Sequence, residues 1–222
     1  MTRTIRSLAL LAVVATLVAA CNVGGTPSPS SIPSTAPSQA GSSGPTGTCP
    51  TEQPPPLAAG EKRLVTIATA KGEIGITIEA DLSPIAAGNF VALAGCGYYD
   101  GVVFHRVATL QDGTPFVIQG GDPTGTGTGG PGYTIKDEPV TALYSRGTVA
   151  MARTRDPDSV GSQFFIVLDD KDRGVLADAN TYQIIGTVAT GMESVDAIYA
   201  AAAGQENPAD PIVMDKVTVS TP

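Results

Sequence analysis

One stretch of the chain, residues 104–130, combines a cation, an amide and apolar segments in an order that could build a binding pocket. It reads FHRV at 104–107, FVIQGGD at 116–122 and GTGTGG at 125–130. Arg106 lies in the first apolar segment and Gln119 near the end of the second. A guanidinium stays charged and offers five N–H donors, so this pair could bind and polarise a polar bond in an apolar pocket. The set has no nucleophile and no general base, which predicts non-covalent chemistry.

Other groups of potentially reactive residues indicate structure rather than chemistry. His105, the only histidine, adjoins Arg106 in a strand, so the two side chains should point to opposite faces; we interpret His105 as a packed structural residue. The run GTGTGG matches the dinucleotide fingerprint, but Pro131-Gly132 follows where that fingerprint needs a helix, which favours a tight surface loop. A loose acidic cluster lacks the spacing of a calcium-binding loop and is interpreted as a solvated loop: Asp169, Asp170, Asp172 and Asp178. We expect no metal and no cofactor.

Short runs of alternating apolar residues dominate the chain after residue 60. We therefore expect β-strands to position the residues of the pocket. Residues 64–68 and 74–79 alternate on either side of a glycine turn and predict a β-hairpin. Further strands are predicted over 102–107, 116–119, 148–152, 163–168, 182–188 and 212–219. One helix is predicted to begin after an N-cap at Ser83 and to end near Ala94, and a second helix covers 192–202. The pattern is typical of a mainly β barrel or sandwich.

Composition limits the classes of function. With 222 residues and 42% hydrophobic content, the chain can bury one sizeable core. The formal net charge is −8 and no basic cluster is present, which disfavours binding to nucleic acid.

The first 59 residues are predicted to lie outside the folded domain. Residues 1–20 place two arginines before an apolar run, which indicates a secretory signal. The run ends in LVAAC, which resembles a bacterial lipobox and implies lipidation of Cys21 after cleavage; an ordinary signal with a coincidental cysteine is the alternative. More than one acyl chain anchors a protein stably, so we expect the protein at the extracytoplasmic face of the cell membrane. Residues 21–59 are predicted to be a flexible Ser/Pro/Gly-rich tether, and residues 60–222 the folded domain.

Two further cysteines, Cys49 and Cys96, leave two alternatives open. Outside the cytoplasm an even pair is compatible with a disulfide. The other possibility is a buried free Cys96 with an exposed Cys49.

The order of the motifs resembles the cyclophilin-type peptidyl-prolyl cis-trans isomerases. The resemblance covers about 64–219 and rests on FHRV, FVIQGGD, GTGG at 127–130, MART at 151–154 and GSQFFI at 161–166. It implies a mainly β fold, a closed eight-stranded antiparallel barrel capped by two α-helices. It also implies an isomerase that accelerates X-Pro bond rotation, with proline-containing peptides and folding client proteins as partners. We expect a monomer.

The resemblance assigns roles to individual residues. Arg106 would polarise the prolyl nitrogen, and Phe116 and Gln119 complete the set of catalytic positions. The substrate-binding positions would be Val117, Gly127, Ala152, Arg153, Gln163, Phe165, Leu176 and Tyr182. A proline-peptide-binding or chaperone module without significant catalysis is the alternative function.

Three features depart from the family pattern. Val175 stands where tryptophan is frequent, so the sequence does not predict cyclosporin sensitivity. Tyr182 stands where histidine is frequent, and its hydroxyl can still donate a hydrogen bond. Residues 108–115 are predicted to bulge near the pocket.

Overall fold

The structure, a computed structural model, describes residues 48–179 and 181–222. All eight predicted strands are found within them, and they are β1 (Lys62–Thr69), β2 (Gly72–Glu79), β3 (Arg106–Thr109), β4 (Pro115–Gly120), β5 (Thr148–Met151), β6 (Phe164–Val167), β7 (Ile184–Thr190) and β8 (Met214–Ser220). The described helices are α1 (Pro84–Gly95), α2 (Arg173–Ala179) and α3 (Met192–Ala201), with one 3₁₀ turn over Asp170–Asp172. The fold is therefore mainly β, as predicted.

The strands form one antiparallel sheet in the order β3-β4-β6-β5-β7-β2-β1-β8. Strands β3 and β8 lie at its two ends, and no ladder joins them among the described residues. An isolated bridge from Val103, before β3, to Val213, before β8, joins the two ends, and a second bridge from Val103 to Asp122 extends the pairing of β3 with β4. The sheet thus curls as an open half-barrel, and the fully closed barrel implied by the resemblance is not confirmed.

The register of three strands, β3, β4 and β6, separates an inner from an outer face. Val107, Ile118 and Ile166 are successive cross-strand partners in β3, β4 and β6, and all belong to the main buried core. Directly opposed residues share a face and successive residues alternate between faces. The neighbouring row, Arg106, Gln119 and Phe165, therefore lies on the outer face. A one-residue slip of register would exchange the two rows.

Helix α1 buries Phe90 and Leu93 completely in the main core, but its capping differs from the prediction. Ser83 occupies the N-cap position without a side-chain capping bond. The Glu138 carboxylate accepts instead from the backbone N–H groups of Ile85 and Ala86, each at 2.9 Å. An anion at this end also complements the helix dipole. The expected local cap is therefore replaced by a residue from a distant loop.

The acidic segment predicted as a solvated loop is partly ordered into helix. The Asp169 side chain accepts from the backbone of Lys171 and begins the 3₁₀ turn, which leads into α2. Asp172 is fully buried. Leu176 of α2 packs in a second apolar cluster on the outer face of the sheet, with Val117, Phe165 and Ile184. The prediction of two helices is therefore incomplete, since α2 adds a wall to this outer cluster.

The segment directly before β1, which the sequence assigns to the end of the tether, packs on the domain in the structure. Cys49 and Cys96 form a disulfide with their Cα atoms 5.2 Å apart. The backbone N–H of Leu57 donates to the carbonyl of Pro84, and Leu57 contacts the main core. The signal, Cys21 and the tether up to residue 47 lie outside the described residues. Within the described part of the chain, no helix has the length and apolar character to cross a membrane.

Candidate functional site

Arg106 and Gln119 face each other across the antiparallel pair β3–β4. Nη1 of Arg106 donates to Oε1 of Gln119 at 3.3 Å. Phe165 is the partner of Gln119 on β6, and Ala150 is the partner of Phe165 on β5. The cation, the amide and the aromatic ring therefore follow one another along a single row of the outer face.

A cavity of about 490 Å³, here called the arginine cavity, opens over this row. It is lined by Arg106, Phe116, Val117, Gln119, Ala152, Arg153, Phe165, Leu176 and Tyr182, together with Val175 and Ala179. The first nine are all predicted site positions. Phe165 and Leu176 are almost fully buried, and the Phe165 and Tyr182 rings meet edge to face with centroids 5.3 Å apart. Edge-to-face aromatic pairs are favourable, so the contact between the two rings helps to fix the apolar wall of the cavity that contains Arg106.

The two remaining predicted positions, Gly127 and Gln163, line an adjoining space of about 690 Å³, here called the glycine cavity. Gln119, Ala152 and Arg153 border both cavities. The structure therefore brings every predicted catalytic and substrate-binding position to one continuous groove.

A chain of hydrogen bonds crosses the boundary between the cavities. Arg106 donates to Gln119, whose amide donates to Oε1 of Gln163 at 2.9 Å. The Gln163 amide donates in turn to the carbonyls of Gly127 and Gly129, at 3.0 and 2.9 Å. In each glutamine, the amide oxygen accepts from the side nearer Arg106 and the amide nitrogen donates toward the glycine loop. The guanidinium, β4, β6 and the glycine loop are therefore held in one connected arrangement.

The glycine-rich run encloses a carboxylate of this chain. Asp122 accepts from the backbone N–H of Gly127 at 2.6 Å and of Gly129 at 3.0 Å, and from Thr124 and Thr126. Burial alone would raise the pKa of Asp122, but these hydrogen bonds outweigh it and lower the pKa to about 2. A Cβ at Gly129 would lie 2.0 Å from an Asp122 oxygen, so a larger residue there would displace this carboxylate from its hydrogen bonds. The N–H groups that a nucleotide phosphate would need are already bonded to Asp122.

Arg153 lines both cavities, yet its charge is paired elsewhere. Its Nη1 lies 2.9 Å from an Asp137 oxygen, with the side chain 10% exposed. Its Nε and Nη2 donate to the carbonyls of Thr154 and Asp156. These bonds hold the 153–159 loop that edges the groove, and they leave Arg106 as the cation at the apolar wall.

His105 is buried against the glycine loop and lines neither cavity. A Cβ on Gly127 would lie 3.6 Å from its Nε2. Neither ring nitrogen has a hydrogen-bond partner among the described residues. Burial lowers the pKa of His105, and the nearby Asp122 only partly opposes that effect. This arrangement agrees with a neutral packing residue.

Glu206 is a part of the site that sequence reasoning missed. Its Oε1 accepts from Nε of Arg106 at 2.7 Å. It follows a helix in an exposed segment that shows no motif, and it is separated from Arg106 by 100 positions. By contrast, residues 110–114, inside the segment predicted to bulge near the pocket, line neither cavity and form the β3–β4 turn.

The groove can bind an extended polar chain with an apolar ring beside a cation. Its lining has hydrogen-bond donors and acceptors but no nucleophile paired with a base. No group of three or more His, Cys, Asp or Glu in residues 48–179 and 181–222 could hold a metal ion. The arrangement is suited to stabilising a change of charge distribution without making or breaking a covalent bond.

Residues 64–219 match the family model described as cyclophilin type peptidyl-prolyl cis-trans isomerase/CLD. The chain is 38% identical over 176 residues to peptidyl-prolyl cis-trans isomerase A of Mycobacterium tuberculosis strain H37Rv, a match that covers 70% of this chain and 91% of that protein. It is 44% identical over 112 residues to peptidyl-prolyl cis-trans isomerase CYP65 of Arabidopsis thaliana, covering 48% of this chain. It spans only 18% of the length of CYP65, and 22% of a relative from Streptococcus pyogenes.

A solved structure supports the same relationship. The fold superposes on a cyclophilin type peptidyl-prolyl cis-trans isomerase of Cryptosporidium parvum with a TM-score of 0.62 and 30% identity, over 72% of this chain and 99% of that one. A second structure of that protein, solved in the presence of the dipeptide Ala-Pro, superposes with a TM-score of 0.61.

Proposed function

Since the chain belongs to the cyclophilin-type peptidyl-prolyl cis-trans isomerase family, we propose that it accelerates X-Pro rotation by directing Arg106 at the prolyl nitrogen. Residues 64–219 are its isomerase domain. The observation that supports the role of Arg106 most directly is its position in the arginine cavity, on the same row of the sheet as Gln119 and Phe165.

A hydrogen-bond donor near the prolyl nitrogen stabilises the peptide only when the C–N bond is twisted. Amide resonance gives the peptide C–N bond its rotational barrier of about 18–20 kcal/mol. At the transition state this resonance is lost and the prolyl nitrogen regains a lone pair that can accept a hydrogen bond. The guanidinium of Arg106 therefore binds the transition state more strongly than either ground state, and such differential binding is what lowers a barrier.

Arg106 alone does not account for the catalysis we propose. A hydrogen bond to a charged group contributes roughly 1.5–3 kcal/mol, whereas enzymes usually lower the barrier by about 8 kcal/mol or more. The remainder must come from desolvation and orientation. We assign the proline ring to the wall formed by Phe116, Val117, Phe165 and Leu176, with Tyr182 against Phe165. This wall removes water from the bond and holds the ring while the rest of the peptide turns.

The peptide backbone around the proline is proposed to follow the groove between the two cavities. Gln119 would bind substrate backbone, and Ala152 with Arg153 would hold the residue before proline, since all three border both cavities. Gly127 and Gln163 would flank the next part of the peptide. The use of Ala-Pro with the Cryptosporidium parvum protein supports short proline peptides as the first substrates to test.

The test is the rate of X-Pro exchange in a short peptide, measured by NMR with the purified full chain. We expect Arg106→Ala to reduce the enhancement on the order of 10²-fold, as loss of one preorganised donor does. Arg63→Ala, which removes an arginine of β1 outside both cavities, serves as the control and should leave the rate unchanged. Peptide binding without rate enhancement by the wild type would favour a binding or chaperone module, and an active Arg106→Ala variant would refute the role of the arginine.

We further propose that the protein acts outside the cytoplasm, anchored through lipid on Cys21. The lipobox-like sequence supports this location, and a Cys49–Cys96 disulfide is compatible with an oxidising compartment. Mass spectrometry of the membrane fraction should find a diacylglyceryl group on Cys21, and Cys21→Ser should move the protein out of that fraction. An unmodified Cys21 in the mature protein would contradict the anchor while leaving the isomerase proposal intact.

A further inference from the structure

The segment between α3 and β8 lies along the edge strand that presents Arg106. The backbone N–H of Val107 donates to the carbonyl of Glu206 at 2.7 Å, and that of Phe104 donates to the carbonyl of Ile212 at 2.9 Å. The Tyr199 hydroxyl of α3 is 2.9 Å from the Thr109 hydroxyl at the other end of β3. Glu206 is therefore fixed by its own backbone beside the residue that follows Arg106.

The Glu206 side chain contacts the guanidinium at a particular atom. Its Oε1 accepts from Nε of Arg106 at 2.7 Å, while Nη1 donates to Gln119 on the other side at 3.3 Å. A guanidinium is planar and carries its five N–H groups in a rigid fork. Two acceptors on two different nitrogens define the orientation of that plane. Among residues 48–179 and 181–222, no other side chain or carbonyl accepts from the Arg106 guanidinium, so its remaining N–H groups are available to the cavity.

We propose that Glu206 is a positioning residue for Arg106. By accepting from Nε it holds the guanidinium plane, so that the outer nitrogens face the arginine cavity instead of rotating into solvent. The proposal rests on the proposed role of Arg106 in the reaction and adds a residue from a different segment to it.

The exposure of both side chains distinguishes a positioning role for Glu206 from a contribution to folding stability. The Arg106 and Glu206 side chains are 35% and 57% exposed, and ion pairs this accessible add little to folding stability. Truncating Glu206 should therefore leave the fold intact. Its effect should fall on the geometry of a side chain that would otherwise sample several rotamers, and misplacement of a catalytic group by a small distance is costly to rate.

The test compares Glu206→Ala with Glu206→Gln in the full chain, with kcat and KM obtained separately from X-Pro peptide exchange. We expect Glu206→Ala to lower kcat on the order of tenfold with little change in KM, because the orientation of the donor matters most at the twisted geometry. Glu206→Gln keeps an acceptor oxygen in place and should restore most of kcat. Asp210→Ala removes another exposed carboxylate of the same segment and should have no effect.

A second readout reports on the contact itself. The side-chain Nε–Hε signal of Arg106, identified by its loss in Arg106→Ala, should exchange slowly with water in the wild type and fast in Glu206→Ala. An unchanged or raised kcat in Glu206→Ala would overturn the proposal, as would an equal loss in Asp210→Ala. If Glu206 fails this test but Arg106→Ala is impaired, the proposed role of Arg106 is unaffected. If Arg106→Ala is not impaired, both the role of Arg106 and that of Glu206 are refuted.

Discussion

The side-chain amide of Gln119, in β4, donates to Oε1 of Gln163, the residue directly before β6, at 2.9 Å. Gln163 thereby stands between the arginine and the glycine loop, since its own amide nitrogen bonds the carbonyls of Gly127 and Gly129. Gln163 is therefore one link in the hydrogen-bonded chain that runs from the arginine cavity to the glycine loop.

Replacing Gln163 should therefore affect both cavities. We expect Gln163→Ala to lower kcat/KM roughly tenfold, because Gln119 loses its acceptor and the glycine loop loses a donor. Peptide exchange by NMR measures the rate, and amide hydrogen exchange at Gly127 and Gly129 measures the loop. Ser159→Ala, at the rim of the glycine cavity but outside this chain of bonds, is the control. If Gln163→Ala stays fully active although the amides of Gly127 and Gly129 exchange faster, the hydrogen bonds of Gln163 have no catalytic role.

Asp172, buried at the end of the 3₁₀ turn that leads into α2, should make stability depend on pH. Its Oδ2 accepts from the backbone of Asp169 at 3.1 Å, while Oδ1 has no partner among the described residues. Burial raises the pKa of Asp172, the Asp169 backbone bond partly opposes this, and the charges of Asp169, Asp112 and Asp170 raise it further, to about 6.

A carboxyl whose folded pKa lies above its unfolded value near 3.9 favours folding only while it is protonated. Stability from this group is complete below about pH 4 and is lost as the pH rises through about 6. Asp172→Asn should therefore raise the free energy of unfolding at pH 8 by roughly 1–3 kcal/mol, and the gain should vanish near pH 4. Urea unfolding at several pH values measures it, with Asp178→Asn, at an exposed position of α2, as control. A gain that is independent of pH would contradict this assignment.

The Cys49–Cys96 disulfide should support the fold more than the site. It closes a loop with a sequence separation of 47, for which chain-entropy reasoning predicts up to about 4 kcal/mol. We expect Cys49→Ser with Cys96→Ser to lower the free energy of unfolding by roughly 2–4 kcal/mol while X-Pro exchange at 25 °C stays unchanged, because neither cysteine borders a cavity. Urea unfolding with and without a reductant measures the effect. Reductant should weaken the wild type and not the double variant; an equal response of both would be inconsistent with the bridge.

Much of the fold could be predicted from local patterns. Period-2 alternation and a glycine turn indicated the β1–β2 hairpin, and each later apolar run corresponds to a strand in the structure. Helix α2 was missed because it has only seven residues and buries only Leu176, so it shows no helical periodicity. The site positions were identified by their motif order, and the structure places all of them on two adjoining cavities. Their individual roles stay predictions.

The sequence by itself determined which segments become strands, which residues alternate toward each face, and that a cation would lie in an apolar groove. These follow from interactions between residues close in the chain. Only the tertiary structure decided that Glu206 would contact Arg106, 100 positions away, and that Glu138 would cap α1 from 53 residues away. In each of these contacts, a charged side chain meets groups that are far from it in the chain. The packing of strands and loops brings them together. An exposed carboxylate in a loop looks the same in sequence whether it meets water or an arginine, so its partner is known only once the chain has folded.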